Sequence, residues 1–359
     1  QEPTVTVKLG DETLSRDNDY TVQVTKQTDA GSYKLTIKGG GNYSGEIKDV
    51  EWKIEPMKID SVMVSSDISK TYDGTATVTK TAEEWANVLT FKTLSASDVV
   101  DVPSSAYTIS DAYFVEKSGE ETIHSPDAGK KYGISFKITL KSSNYVLQNY
   151  YDEEPATAKE YTQSGGATFA IAQADAPTNI RNGALNVING TELKYTYDAK
   201  QLLPDAPKGT YGNVSYNCRF PVNLENGYYV NDIAIDDSVL TLTIAALSGR
   251  ETGKIGTIPI YITTDNYESF DLPLDLYAVN KITPVADGEI TAAGITYGDA
   301  LSKSTISGKM KDPNTGDAVN GTFTWTDGTI KPDASDSYEA EWTFTPAEGY
   351  EEYATATGT

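Results

Sequence analysis

Apolar and polar residues alternate with a period of two in four separate stretches of this 359-residue chain. In the first, Tyr33, Leu35 and Ile37 alternate with polar residues, and Gly41-Asn42-Tyr43 follows. In the second, Ile134, Phe136, Ile138 and Leu140 lead to Ser143-Asn144-Tyr145. The third runs through Ile258, Ile260 and Ile262 to Asp265-Asn266-Tyr267, and the fourth through Tyr338, Ala340, Trp342 and Phe344 to Glu348-Gly349-Tyr350. Successive side chains of an extended backbone point to opposite faces, so each run predicts a half-buried strand that ends in a polar turn. Helical spacing is scarce. Thr81 and Glu84 stand at capping-box separation ahead of Trp85, Val88 and Leu89, which share one helical face. A weaker helix candidate surrounds Ser95-Ala96-Ser97-Asp98.

The flanks of these strands also recur. Asp29-Ala30-Gly31, Asp127-Ala128-Gly129 and Asp333-Ala334-Ser335 precede three of them, a carboxylate and small residues that suit a tight turn. The third copy departs, with Thr252-Gly253-Lys254. Trp52-Lys53-Ile54, Phe169-Ala170-Ile171 and Tyr277-Ala278-Val279 read as last strands running through short linkers into a fresh start. Three of the starts carry a tyrosine beside a turn: Lys70-Thr71-Tyr72-Asp73-Gly74-Thr75, Lys194-Tyr195-Thr196-Tyr197-Asp198 and Ile295-Thr296-Tyr297-Gly298-Asp299. The expected architecture is all-β with one short helix: four small β-sandwich, Ig-like or β-grasp-like modules in an elongated tandem array. The boundaries fall at residues 1–56 (a short or truncated β-repeat), 57–173, 174–281 and 282–359.

Composition agrees with thin cores. Apolar residues make up 38% of the chain, below the roughly 45–50% of ordinary globular domains. The balance of 29 basic to 52 acidic residues leaves a formal charge of −23, which argues against nucleic acid and against anionic lipid as partners. The single cysteine, Cys218, excludes an intrachain disulfide and reads as a small buried residue of a strand over residues 214–220. No apolar run approaches the ~18 residues of a membrane span, so no membrane insertion is expected. With Gln1 at its start and neither a signal peptide nor a sorting signal, the sequence reads as a mature or trimmed fragment.

Five passages carry a family resemblance. KTYDGTATVT from Lys70 resembles the opening of YDG-type repeats of bacterial surface proteins. ITYGDALSKSTISG from Ile295, with VNGTFTWTDG from Val319, resembles MBG-type repeats of the same proteins. DNDYTVQV from Asp17, with DAGSYKLTIKGGGNYSG from Asp29, resembles a short β-repeat of surface proteins of gut Firmicutes. The resemblance covers most of the first, second and fourth modules. It implies extracellular, wall-attached, adhesin-like proteins and supplies no catalytic residues. It also implies that an intramolecular Lys–Asn isopeptide bond is a possibility for modules of this kind, which the sequence does not place.

The residues themselves name no reaction. His124 is the only histidine and precedes a predicted turn, where an exposed imidazole is expected. No Gly-x-Ser-x-Gly elbow accompanies it, and Cys218 falls in another module. Asp236-Asp237, Glu83-Glu84 and Glu351-Glu352 read as solvated pairs rather than the facing carboxylates of a glycosidase. Asp17-Asn18-Asp19 and Asp312-Pro313-Asn314-Thr315-Gly316-Asp317 are oxygen-rich turns, which leaves calcium as an alternative, but neither matches the EF-hand loop with its closing Glu, and the second reads more simply as a hairpin turn. Trp52, Trp85, Trp325 and Trp342 are expected in the cores. Of Tyr150-Tyr151 and Tyr228-Tyr229, strand geometry exposes one residue per pair, a foothold for a sugar or a partner. No catalytic, cofactor-binding or metal-binding residue and no cofactor is therefore expected. The expected role is a non-catalytic, monomeric spacer or display stalk on a bacterial surface. The rival is an adhesin module binding host glycans or host proteins, and a carboxylate-dependent polysaccharide hydrolase is a distant third.

Overall fold

The computed structural model describes residues 1–93, 98–118, 121–190, 192–219, 222–246 and 251–359. The second helix candidate lies outside the described residues except for Asp98, as does Phe220 of the predicted 214–220 strand. Strands dominate, and the one α-helix among the described residues is Ala82–Val88. The all-β reading of the patterning is correct. Every strand pairing among the described residues joins positions within 1–56, within 57–173, within 174–281 or within 282–359. By spatial clustering the chain forms two compact units. One holds residues 1–176, 206–213 and 264–268; the other holds 177–205, 214–263 and 269–359.

The first unit opens with an antiparallel meander of Tyr20–Gln23, Gly31–Gly39 and Glu46–Ile54. Leu35 is buried, and Tyr33 sits opposite Trp52 in register with ring centroids 5.2 Å apart. One face of a single sheet shelters Tyr20, Leu35 and Ile54, which is the thin layer the low apolar content allows. Next comes a sheet ordered Glu121–His124, Tyr107–Ser118, Gly133–Leu140 and Ala158–Gln163. A second sheet is ordered Tyr145–Leu147, Met57–Val64, Leu89–Thr93 and Val99–Val100. Ile134, Phe136, Ile138 and Leu140 are all buried, as their alternation predicts. The capping box of Thr81 and Glu84 forms, and the helix sets Trp85 against Phe136 with centroids 5.9 Å apart.

In the second unit, Gly183–Ile188, Phe270–Val279, Gly253–Thr264 and Val214–Cys218 make one sheet, and Leu193–Asp198, Val239–Ala246 and Tyr228–Asp236 another. Ile258, Ile260, Leu272, Leu274, Leu240 and Leu242 are fully enclosed. Beyond Lys281 the strands are short, and Met310, Val319, Trp342, Phe344 and Ala356 form a separate small core. The strand expected from Tyr338 begins only at Trp342. Tyr338 itself is 51% exposed, because among the described residues 338–341 gain a single backbone bond, from the Thr326 N–H to the Glu341 carbonyl.

Candidate functional site

The two recurring signatures meet in space. Asn144 of the second Asn-Tyr turn donates from Nδ2 to the Asp29 carboxylate at 2.9 Å and accepts the Ala30 N–H on Oδ1 at 2.6 Å. Asn266 of the third donates to the Asp127 carboxylate at 3.2 Å and accepts the Ala128 N–H at 2.7 Å. A neutral carboxamide offers a donor and an acceptor side by side. It therefore closes the Asp-Ala edge with two bonds at once. Each Asp-Ala-Gly turn is braced from within as well: Tyr33 donates its hydroxyl to the Asp29 carbonyl at 2.7 Å, and Tyr132 does the same to the Asp127 carbonyl. Lys130 pairs with Asp127 at 3.0 Å and, followed by the Asn266 bond, holds that carboxyl below the usual range against the opposing effect of burial.

The backbone carbonyl of each clasping Asn has a second task. Met57 N–H donates to the Asn144 carbonyl at 2.8 Å, and Ala174 N–H to the Asn266 carbonyl at 2.9 Å. In the last copy the corresponding donor, Ile282 N–H, reaches the Glu352 carbonyl at 2.9 Å, and Ile282 bridges Tyr353 in parallel as Ala174 bridges Tyr267. The structural counterpart of Asn-Tyr is thus Glu352-Tyr353, three residues beyond the Gly349-Tyr350 that spacing suggested. Glu352 has no side-chain N–H to give, and Thr252-Gly253-Lys254 offers no carboxylate. These residues can build neither half of the clasp.

Around Asn266 the chain packs tightly. Tyr72, buried, exchanges hydrogen bonds with Thr210, its hydroxyl accepting from the N–H at 2.9 Å and donating to the carbonyl at 3.0 Å. The rings of Tyr72 and Tyr211 meet Tyr267 edge-on at 5.5 and 5.2 Å. The Asp73-Gly74 turn carries Lys70, whose ammonium lies 2.7 Å from Asp73. Within the signature at residues 70–74, Tyr72 secures a junction inside this unit while Lys70 braces its own turn.

Two other features reach solvent. Asn149 and Asp152 hold a loop through reciprocal bonds, Lys159 pins Asp152 at 2.5 Å, and the tip presents Tyr150 and Tyr151, 82% and 88% exposed. The expectation of one exposed ring per pair fails here because these residues are in a loop and not a strand. It succeeds at Tyr228, buried, and Tyr229, exposed, which are in one. The second feature is a groove of about 460 Å³ walled by Tyr297, Trp325, Tyr338 and the Asp333-Ala334-Ser335 turn. Of the tryptophans, Trp85 and Trp342 are buried, whereas Trp52 and Trp325 are half-buried. Cys218 is half-buried with its thiol pushed up by burial, the wrong direction for a nucleophile.

His124 is exposed on Glu121–His124 and stacks on Tyr113 at 4.1 Å, so it belongs to a strand edge instead of a loop. Among the described residues each carboxyl whose titration is displaced moves downward, Asp275 to about 2, whereas a glycosidase acid must move up. Asp312 accepts from the N–H groups of Asn314 and Thr315 and from the Tyr353 hydroxyl, which makes its turn a closed hairpin loop. Among the described residues no group of three or more metal-ligating side chains assembles. Lys254, Asp275 and Asn182 do converge, with Asp275 accepting from Lys254 at 2.8 Å and from Asn182 at 3.0 Å. A Lys–Asn cross-link needs an uncharged amine and a protonated acid. Here the bonds from Asn182, Lys254 and Thr257 push the Asp275 carboxyl down and that carboxylate pushes Lys254 up, the opposite direction for both groups.

Among the described residues no helix is long and apolar enough to cross a membrane. No family model and no curated protein matches the chain. Among solved structures it is similar to PcdhgB3 EC1-4, at 9% identity and a TM-score of 0.23 over 92% of this chain and 82% of that one. It is similar to human CDH23 EC21-23, at 11% identity and 0.28 over 85% of this chain and 99% of that one. It is also similar to the Sidekick-1 immunoglobulin domains 1-5, at 12% identity and 0.25 over 99% of this chain and 73% of that one.

Proposed function

We propose that the chain is a non-catalytic, extracellular spacer or display segment of a bacterial surface protein, of the YDG and MBG kind that its repeats resemble. The observation that supports this reading is the carboxamide clasp, formed twice: residues of the two recurring signatures fasten one β-segment to the next. Small β-cores joined by specific nearest-neighbour bonds unfold as a series of local events, a useful property for a stalk under load. Mechanical unfolding of the intact chain tests it. Several separate force events are expected, with at least one weakened by Asn266→Ala. A single cooperative rupture of the whole chain would overturn the reading.

A second reading, an adhesin for host glycans or host proteins, is favoured by the Tyr150-Tyr151 tip. A loop that spends hydrogen bonds to hold two aromatic rings in water has the form of a contact surface. Binding of the intact chain on a glycan or host-protein array, lost in the Tyr150→Ala/Tyr151→Ala variant, would establish it.

A further inference from the structure

Tyr150 and Tyr151 lie mid-sequence, with a β-segment before and after their own, yet they are 82% and 88% exposed. The loop that carries them is closed at its base by the Leu147–Ala156 bridge, where each N–H donates to the other residue's carbonyl, at 2.8 and 2.9 Å. Leu147 is fully buried, so the base is anchored in the core. Above it, Asn149 Oδ1 accepts the N–H groups of Tyr151 and Asp152 at 2.8 and 3.0 Å, and an Asp152 carboxylate oxygen accepts the Asn149 N–H at 2.9 Å. The tip is therefore set before a partner arrives, and binding spends little on ordering it. The two rings stand nearly perpendicular, at 87°, with centroids 5.4 Å apart. Perpendicular rings make a corner of two walls instead of a flat platform. A compact cation in such a corner meets two ring faces at once, and the face of an aromatic ring is its negative side. Charge points the same way. Glu153 and Glu154 follow directly, both exposed and neither with a hydrogen-bond or ion-pair partner among the described residues. Lys159 is already spent on Asp152, at 2.5 Å.

Resting on the adhesin reading of this tip, we propose that the Tyr150-Tyr151 corner is a docking site for an arginine side chain presented by a basic segment of a partner protein. A guanidinium is planar and weakly hydrated, so it can lie against one ring while meeting the other. Its N–H groups stay free to donate in a fork to the Glu153 or Glu154 carboxylate. A lysine ammonium lacks the planar fork, and a quaternary ammonium has no N–H to give. The formal charge of −23 draws a basic partner from a distance and speeds its capture at low salt. Acidic glycans are repelled by the same carboxylates, and the perpendicular rings offer a neutral glycan no two-ring platform on which to stack.

The intact chain is titrated with a dye-labelled hexa-arginine peptide, and binding is read by fluorescence anisotropy at low and at physiological salt. Saturable binding is expected that weakens about tenfold in Tyr150→Ala/Tyr151→Ala, each ring contributing a factor of about three. Tyr150→Phe/Tyr151→Phe keeps both ring faces and should bind within about twofold of the native chain. Glu153→Gln/Glu154→Gln should weaken binding and flatten its salt dependence. Equal peptide binding by the alanine variant would overturn the proposal, because it would report only the general negative charge. Equal binding of hexa-lysine, or displacement of the peptide by choline but not by free arginine, would overturn the arginine assignment. A glycan held by the native chain and lost in the alanine variant, without tyrosine-dependent peptide binding, would overturn the proposal and leave the adhesin reading standing. No tyrosine-dependent binding of peptide, glycan or host protein would remove both. All four substituted residues are exposed, and unchanged amide exchange in the Gly133–Leu140 strand verifies that the fold is intact.

Discussion

Asn266, with no exposed surface, holds Asp127 and the N–H of Ala128 in one carboxamide grip, at 3.2 and 2.7 Å. Its Nδ2 also reaches the Thr210 carbonyl at 3.1 Å. Truncation to alanine strands the buried Ala128 N–H, whereas Asp127 keeps Lys130 and the Thr210 carbonyl keeps the Tyr72 hydroxyl. A buried group left unpaired costs ~1–3 kcal/mol. Asn266→Ala should destabilise the first unit by about 2–3 kcal/mol. The more exposed Asn144→Ala should cost about 1 kcal/mol, since water can replace its bonds. Denaturant unfolding of the two variants measures the difference. A double-mutant cycle with Asp127→Ala should return a coupling above ~0.5 kcal/mol.

Gly209 is the tightest point of the same region. Its φ is +56°, and an added Cβ would collide with the Tyr72 hydroxyl and approach the Gly74 Cα to 2.8 Å. Two backbones and a buried ring meet there, and none is a flexible tip that could swing away. Gly209→Ala should cost about 2–4 kcal/mol, combining left-handed strain with overpacking. Gly288→Ala, at φ +94° but in open space, bears strain alone and should cost about 1 kcal/mol. Equal losses in the two variants would show that contact with Tyr72 is unimportant.

The strand faces and the capping box were legible because they rest on local rules. Ile134, Phe136 and Ile138 had only to alternate, and Thr81 had only to stand three residues before Glu84. The clasp was half legible. Asn-Tyr and Asp-Ala-Gly each stood out as recurring, but they are more than 100 residues apart in each pair (Asp29 to Asn144, Asp127 to Asn266), and nothing local says that one grips the other. One sign was available: the third copy lacks the Asp of the turn, at Thr252, and the fourth lacks the Asn. The fourth strand was misjudged at Tyr338 because alternation marks which face a side chain would take and not whether a neighbouring strand exists to hold it. Tyr150 and Tyr151 were misjudged because Asn149 and Asp152 build a loop from side-chain bonds that period-two reasoning does not see.

Asp275 makes the second unit acid-sensitive. Its carboxylate accepts from Asn182, Lys254 and the Thr257 hydroxyl, in that order of effect, and these bonds lower its pKa from 3.8 to about 2. A depressed acid stabilises the folded state above its unfolded pKa and loses that contribution as pH falls through the folded one. The loss should run from about pH 4 to about pH 2 and amount to roughly 2 kcal/mol. Asp275→Asn should flatten the acid limb of the stability curve in that window while lowering stability at neutral pH, where Lys254 loses its partner. Urea midpoints of the native chain and the variant, compared at each pH, check it. Parallel curves would mean that other carboxylates carry the acid response.

The small core beyond Lys281 offers a prediction about independence. Gly358 pairs with Trp342 at the end of the sheet, and a Cβ on Gly358 would run into the indole, which is itself buried against Phe323 at 5.3 Å. This core comprises only Met310, Val319, Trp342, Phe344 and Ala356, with a few half-buried neighbours, so it has little room to absorb a displaced ring. Gly358→Ala should therefore destabilise it by about 1–3 kcal/mol through overpacking. If each β-segment closes its own core, the damage stays local. Amide exchange should quicken across Trp342–Pro346 and Gly321–Trp325 and remain unchanged across Gly133–Leu140 in the other unit. Faster exchange in both places at once would mean that the cores unfold together, which a chain of independently closed segments does not do.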